Sequence, residues 1–262
     1  MTPNKRDLKA YARFDGTGRI VPGSLVLRRT KPKVGTWTEV QAYECCVPST
    51  ETSYTCCVAI QAIADSESGL YGITFQNRNN DGANLTGTIH WSSTASDNFS
   101  FPANGDDWSL EYTFGDSLLH TIYLCIDNPS QIEDFEIGFG PGTAVGISNL
   151  QKLQGIGEWD GDDMGFTSLD FTGITTITQL FNANTGLQHI NITGCVNLEE
   201  VDLDSNDLTE ASVDHVLITL DDNGLTGGDV DLSGGTNSVP SVAGAAAAAS
   251  LILKGWSVTV NP

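Results

Sequence analysis

The sequence predicts a mostly β protein in three parts: an N-terminal β module over residues 1–50, a β-sandwich-like unit over 51–142, and a C-terminal α/β solenoid over 143–262. Three observations predict it. Charged residues make up 17% of the chain, below the ~25% of an average globular protein. Gly, Ser, Thr, Asn and Asp fill the difference, which favours many short strands joined by many turns. Apolar and polar residues alternate over short windows in the first half, the period of half-buried strands. From Phe166 onward, apolar positions recur at a regular interval, the mark of stacked coils. With 262 residues, 39% of them hydrophobic, the chain can bury a core.

The N-terminal module is set apart by charge. The net charge is −21, yet nine of the twelve basic residues lie in the first 33 positions, opposed there by only Asp7 and Asp15. That segment carries +7; residues 34–262, with three basic and thirty-one acidic residues, carry −28. Such asymmetry implies two ends with different tasks. An acidic body repels nucleic acid, so a protein partner for the basic end is favoured and nucleic acid is not expected. Leu8, Ala10, Ala12 and Phe14 alternate with Lys9, Tyr11 and Arg13 as in a strand, Asp15-Gly16-Thr17-Gly18 reads as a turn, and Ile20-Val21, Ser24–Leu27 and Trp37–Val40 continue the pattern. No secretory signal and no membrane span is expected: the charged start is not followed by an apolar run, and Ala243–Leu253 is too short.

Cys45-Cys46 and Cys56-Cys57 flank the boundary with the second part. A hairpin centred on Glu51 would set Cys46 against Cys56 and Cys45 against Cys57. Alternating strand directions then divide the thiols two and two, which works against a four-cysteine zinc site. Buried apolar side chains, cross-strand disulfides and a metal site remain open alternatives. Cys125 and Cys195 read as ordinary core positions. Candidate strands follow at Cys57–Ile63, Gly69–Phe75, Gly87–Trp91, Ser109–Phe114, Thr121–Ile126 and Phe135–Phe139, separated by polar turns. Their spacing favours a β-sandwich.

In the third part, Leu198-Glu-Glu-Val201-Asp-Leu203-Asp-Ser-Asn206-Asp-Leu208 fits the leucine-rich-repeat template LxxLxLxxNxL, with Val in one slot. Leu187-Gln-His-Ile190-Asn-Ile192-Thr-Gly-Cys195-Val-Asn-Leu198 nearly fits it again, with Cys195 in the Asn slot. Weaker copies begin at Phe166 and Ile177, so the steps are 11, 10 and 11 residues and a coil of about 21 residues carries two short strands. Val230-Asp-Leu232 then lies 29 residues after Val201-Asp-Leu203, and Val258-Thr-Val260 another 28 further on. Each longer gap holds a helix signal. Thr209 can cap a helix carrying Val213, Val216, Leu217 and Leu220, closed by Gly224; Pro240 or Ser241 can open a second through Ala243–Leu253, ended by Lys254-Gly255. The expectation is a leucine-rich-repeat solenoid with its late helices on the convex side.

Leu187–Leu208 resembles the short repeats of bacterial internalin-like and phage leucine-rich proteins. Ala247-Ala-Ala-Ser-Leu-Ile-Leu-Lys-Gly-Trp256-Ser-Val-Thr-Val resembles the last coil of phage tail and fibre proteins. Asp7-Leu-Lys-Ala-Tyr-Ala-Arg-Phe-Asp-Gly-Thr-Gly-Arg-Ile-Val-Pro-Gly-Ser-Leu-Val-Leu-Arg-Arg29 looks like the N-terminal module of virion proteins in tailed phages of Bacteroidota-type hosts. Gly87-Thr-Ile-His-Trp91 and Leu110-Glu-Tyr-Thr-Phe114 more loosely resemble phage Ig-like or PKD-like modules. The resemblance implies a leucine-rich-repeat virion structural protein (tail or neck fibre, or head decoration) assembled in the host cytoplasm. Its N-terminal module would bind other virion proteins, with Arg13, Arg19, Arg28, Arg29 and Trp37 as attachment residues. Its solenoid would meet a host-surface protein or glycan, and a homo-oligomer stays open. The competing readings are a bacterial leucine-rich surface adhesin and a glycan-active enzyme.

Enzymatic chemistry has no foothold in the motifs, so no catalytic residue, cofactor or resident metal is expected. His90, His120, His189 and His215 form no HExxH or paired-ligand spacing, and no GxSxG, phosphate loop or dinucleotide fingerprint stands between a strand and a helix. Carboxylates are abundant without a motif that singles out a glycosidase pair. Asn77-Arg-Asn79-Asn-Asp81-Gly82 matches the start of a calcium loop but Thr88 stands where the twelfth-position acid belongs; it and Asp160-Gly-Asp162-Asp163 read first as solvated turns.

Overall fold

The computed structural model describes residues 9–12, 26–28, 38–40, 57–63, 70–77, 84–92, 94–102, 107–116, 118–139 and 143–262. The chain divides into two compact units, Met1–Val47 and Pro48–Pro262. In the first, β1 (Lys9–Ala12) is the middle strand of a three-stranded antiparallel sheet between β2 (Val26–Arg28) and β3 (Thr38–Val40). Tyr11 stands opposite Val26 on one side and Glu39 on the other. Arg28 belongs to β2; Arg13, Arg19, Arg29 and Trp37, with Cys45, Cys46 and Cys56, lie outside the described residues.

The second unit opens with eight strands: β4 (Val58–Ile63), β5 (Leu70–Asn77), β6 (Leu85–His90), β7 (Ser96–Phe101), β8 (Asp107–Thr113), β9 (Leu119–Ile126), β10 (Ile132–Phe139) and β11 (Thr143–Ser148). They are joined throughout by antiparallel pairings. β7 and β11 are additions to the strands read from sequence. β7 begins Ser-Asp-Asn, which reads as a turn, and buries only Phe99 and Phe101; as an outer strand it needs no more. Short strands then alternate between two ladders: β12 (Glu158–Asp160), β13 (Ser168–Asp170), β14 (Gln179–Phe181), β15 (His189–Asn191) and β16 (Glu200–Asp202). α1 (Glu210–Asn223), β17 (Asp229–Leu232), α2 (Val242–Leu253) and β18 (Ser257–Val260) complete the chain. β13 pairs β15, while β12, β14, β16, β17 and β18 pair successively, all in parallel.

This topology corrects the expected fold class. Residues 143–262 do not form a separate α/β leucine-rich-repeat solenoid. The protein is mostly β, with two α-helices among the described residues, both after Leu208. Five parallel strands belong to one eight-stranded sheet in the order β18-β17-β16-β14-β12-β10-β5-β8, whose far end is antiparallel, while β13 and β15 form a separate parallel pair. The joint is β10, which takes β5 antiparallel on one edge and β12 parallel on the other, with Asp134 opposite Glu158 and Phe135 opposite Trp159. An unpaired strand edge accepts either direction of partner. The boundary drawn from sequence at 142/143 therefore falls inside one sheet system, and one continuous buried cluster runs from Val58 and Ile60 to Leu251 and Trp256.

The repeat signature marks this core. Leu187, Ile190, Ile192, Cys195, Leu198, Val201, Leu203, Asn206 and Leu208 are all buried. Asn206, 1% exposed, spends its amide on the main chain of two coils. Its Nδ2 donates to the carbonyls of Asn182 (2.7 Å) and Leu203 (3.1 Å), and its Oδ1 accepts from the Thr185 and Leu187 N–H groups (both 3.0 Å). Asn237 repeats the arrangement one coil later, donating to Leu203 and Leu232 carbonyls and accepting from Leu208 N–H. On the opposite ladder Cys195 takes the Asn slot, and its thiol donates to the Phe171 carbonyl (3.3 Å). Burial pushes the Cys195 thiol up to about 12, so it is an inert core group.

The helix ends are where residue chemistry places them. The Thr209 hydroxyl accepts from the Ser212 N–H, and Gly224 closes α1 with φ 75°, a left-handed value that glycine adopts without strain. Ser241 caps α2 through the Ala243 and Gly244 N–H groups. His215 on α1 is half-buried and accepts from the Ile192 N–H (3.1 Å); burial pushes its pKa down, which keeps the acceptor neutral. Finally, Cys57 is bonded to Cys125, 68 residues away, and not to Cys45. β4 and β9 pair with Val58 opposite Leu124, so the next pair along is Cys57 and Cys125. Both the hairpin pairing of Cys57 and the plain core role of Cys125 are corrected by that register.

Candidate interaction surface

Within the eight-stranded sheet, side chains alternate between the core and the opposite face. The central residue of each short strand points inward: Phe135, Trp159, Leu180, Val201 and Val230 are all buried. The residues flanking them therefore form two parallel rows on the other face. One row reads Asp134, Glu158, Gln179, Glu200, Asp229, Ser257 across successive strands; the other reads Glu136, Asp160, Phe181, Asp202, Asp231, Thr259. Eight of these twelve positions are carboxylates, and no lysine or arginine stands among them. Paired strands lie ~4.8 Å apart, so row neighbours repel with roughly 1 kcal/mol per pair when water-exposed.

The electrostatics carry that signature. The Glu158 pKa is raised, first by partial burial and then by Asp134, Asp160 and Glu200. Asp202 is raised by partial burial, then by Asp204, Asp231 and Asp229, against one N–H donated by Asp204. Asp162, just beyond β12, is likewise raised by burial and by Asp160, Asp202 and Asp163, while the Ala183 N–H opposes this. Gln179 relieves its own row by donating from Nε2 to Glu200 Oε2 (2.7 Å).

Among the described residues no group of three or more His, Cys, Asp or Glu is placed to hold a metal ion. In the Asp160–Asp163 turn, Asp162 accepts the Ala183 N–H and Asp163 accepts from the Asn184 amide (2.7 Å), so these oxygens serve the turn. Of the Asn77–Gly82 segment only Asn77 lies within the described residues. No helix among them is long and apolar enough to cross a membrane.

The sequence-derived repeat residues support this face from behind and do not line it. The residues that do line it went unrecognised as a set, although a signal was present. Asp134-Phe-Glu136, Glu158-Trp-Asp160, Glu200-Val-Asp202 and Asp229-Val-Asp231 are acid–apolar–acid triplets, one per strand. His189 lies in β15 on the second ladder and is exposed, away from these rows. No family model matches the chain, and neither a curated protein nor a solved structure matches it.

Proposed function

We propose that this protein is a structural component of a bacteriophage virion, held on the particle by its basic N-terminal segment and presenting the carboxylate rows to a basic protein surface. The carrying observation is the segregation of charge: +7 over residues 1–33, against rows with eight carboxylates and no cation. Opposed charged surfaces steer encounter and fix orientation more than they supply affinity. The likeness of residues 7–29 and 247–260 to tailed-phage virion proteins supports the particle as the setting.

The test is incorporation. Residues 1–50 fused to a foreign protein should copurify with particles, whereas residues 51–262 should not. Assembly of the truncated chain at normal stoichiometry, read by mass spectrometry of purified particles, would refute the attachment role. Neutralising four face residues together (Glu200→Gln, Asp202→Asn, Asp229→Asn and Asp231→Asn) should leave incorporation intact and weaken partner capture most at low ionic strength.

A further inference from the structure

The end of the sheet at β18 differs from the rest of the molecule. Within the eight-stranded sheet β12, β14, β16 and β17 are each paired on both edges, whereas β18 is terminal in the order and, among the described residues, pairs only with β17. The Ser257 N–H donates to the Gly228 carbonyl, so alternation along a parallel strand turns the N–H and C=O of Val258 toward the open edge. Beside that edge lies α2. Its inner side is buried through Gly244, Ala247, Ala248 and Leu251. Its outer side is also apolar: Val242, Ala245, Ala246, Ala249, Ile252 and Leu253 are all exposed, Val242 at 90% and Leu253 at 89%. A helix apolar all round belongs between two layers. By contrast α1 carries Glu210, Asp214, Asp221 and Asp222.

Charge selects the occupant. Residues 232–262 contain a single charged side chain, Lys254, and it is paired with Asp221 at 2.7 Å. Elsewhere the second unit is strongly acidic, so two copies of a chain at −21 repel wherever else these acidic bodies approach. This end is where they can meet without juxtaposing carboxylates.

We infer that two copies of this chain associate through this end about a twofold axis, β18 pairing antiparallel with β18 of the second copy and α2 packing against its α2. A twofold perpendicular to the sheet continues both layers at once, because each strand keeps its helix on the same side. Helices pack 8–10 Å apart, and the alanines of α2 permit the low end of that range, as adjacency to strands ~4.8 Å apart requires.

The experiment is sedimentation velocity of the full chain over a range of concentrations and salt. The expected result is a concentration-dependent dimer that strengthens as salt rises, since screening removes repulsion between like-charged bodies. Association of a basic segment with the carboxylate rows would weaken with salt instead, and that outcome overturns the inference. The double variant Val242→Glu, Leu253→Glu touches only exposed positions, so its circular dichroism should match the parent. Its dimer should be about tenfold weaker or more. In the parent dimer the Val258 amide should exchange slowly with deuterium, and in the double variant quickly. A monomer under all conditions, a dimer indifferent to the double variant, or a fast Val258 amide in the dimer each refutes the arrangement.

Discussion

At the scale of the residue, Asn206 shows how a single polar side chain holds two coils together. Both ends of its amide are engaged inside the protein, where main-chain groups have no water to fall back on. Asn206→Ala should therefore cost several kcal/mol, because each orphaned buried group costs about 1–3 kcal/mol. Asn206→Asp should cost nearly as much, since a carboxylate cannot donate to the Asn182 and Leu203 carbonyls. Thermal melts that place either variant within about 0.5 kcal/mol of the parent, the usual effect at a surface position, would refute the bridging role. Leu203 and Asp204 make a second pair. Leu203 is 0% exposed, so Leu203→Asp buries a charge in the ladder core and should cost several kcal/mol. Asp204→Ala removes a partly exposed acceptor of the Ser205 hydroxyl and should change stability by about 0.5 kcal/mol or less. Similar melts for the two variants would contradict the face assignment.

At the scale of the element, the carboxylate rows make the parallel ladder sensitive to pH and salt. Glu158, Asp162 and Asp202 all have raised pKa values in the folded protein, with partial burial the largest cause in each. Each then binds a proton more readily folded than unfolded. Their stabilising protonation is complete below the ordinary values of 4.5 for Glu and 3.8 for Asp and is lost as pH rises through the raised folded values. Asp221 works in the opposite direction: hydrogen bonds from Lys254 and Ser250 lower its pKa, so its contribution is lost only in stronger acid, below 3.8. The melting temperature should therefore rise on going from neutral to mildly acidic pH, and at neutral pH it should rise with moderate salt. A melting temperature that falls steadily between pH 7 and pH 5 would show that the rows do not strain the fold. Both helices were legible in sequence because their signals are local: a hydroxyl cap, a run at helical spacing and a glycine stop. β7 and β11 were not, because an outer strand that buries one or two side chains leaves almost no periodic trace.

At the scale of the whole molecule, the Cys57–Cys125 bond ties β4 to β9 across 68 residues. A loop of that length implies a stabilisation of roughly 4 kcal/mol from the restricted unfolded chain. Cys57→Ser with Cys125→Ser should lower the melting temperature of the second unit by several degrees, and reducing agent should do the same to the parent. If reduction leaves the melt unchanged, the bond is not formed in solution.

The sequence by itself determined which residues are buried along the parallel ladder, where the helices start and stop, and that charge divides between the N-terminal segment and the rest. These are encoded by spacing, caps and composition within a window of a few tens of residues. Tertiary structure decided three things. It decided that β10 carries antiparallel and parallel partners on its two edges, so strands expected in a separate solenoid lie in one mixed sheet instead. It decided that Cys57 meets Cys125, and that the acid–apolar–acid triplets of four distant segments align into two rows. The physical reason is common to all three: a strand edge offers the same N–H and C=O groups to any partner. Which segment takes it is settled by long-range packing of the faces, a choice that no local run of residues records.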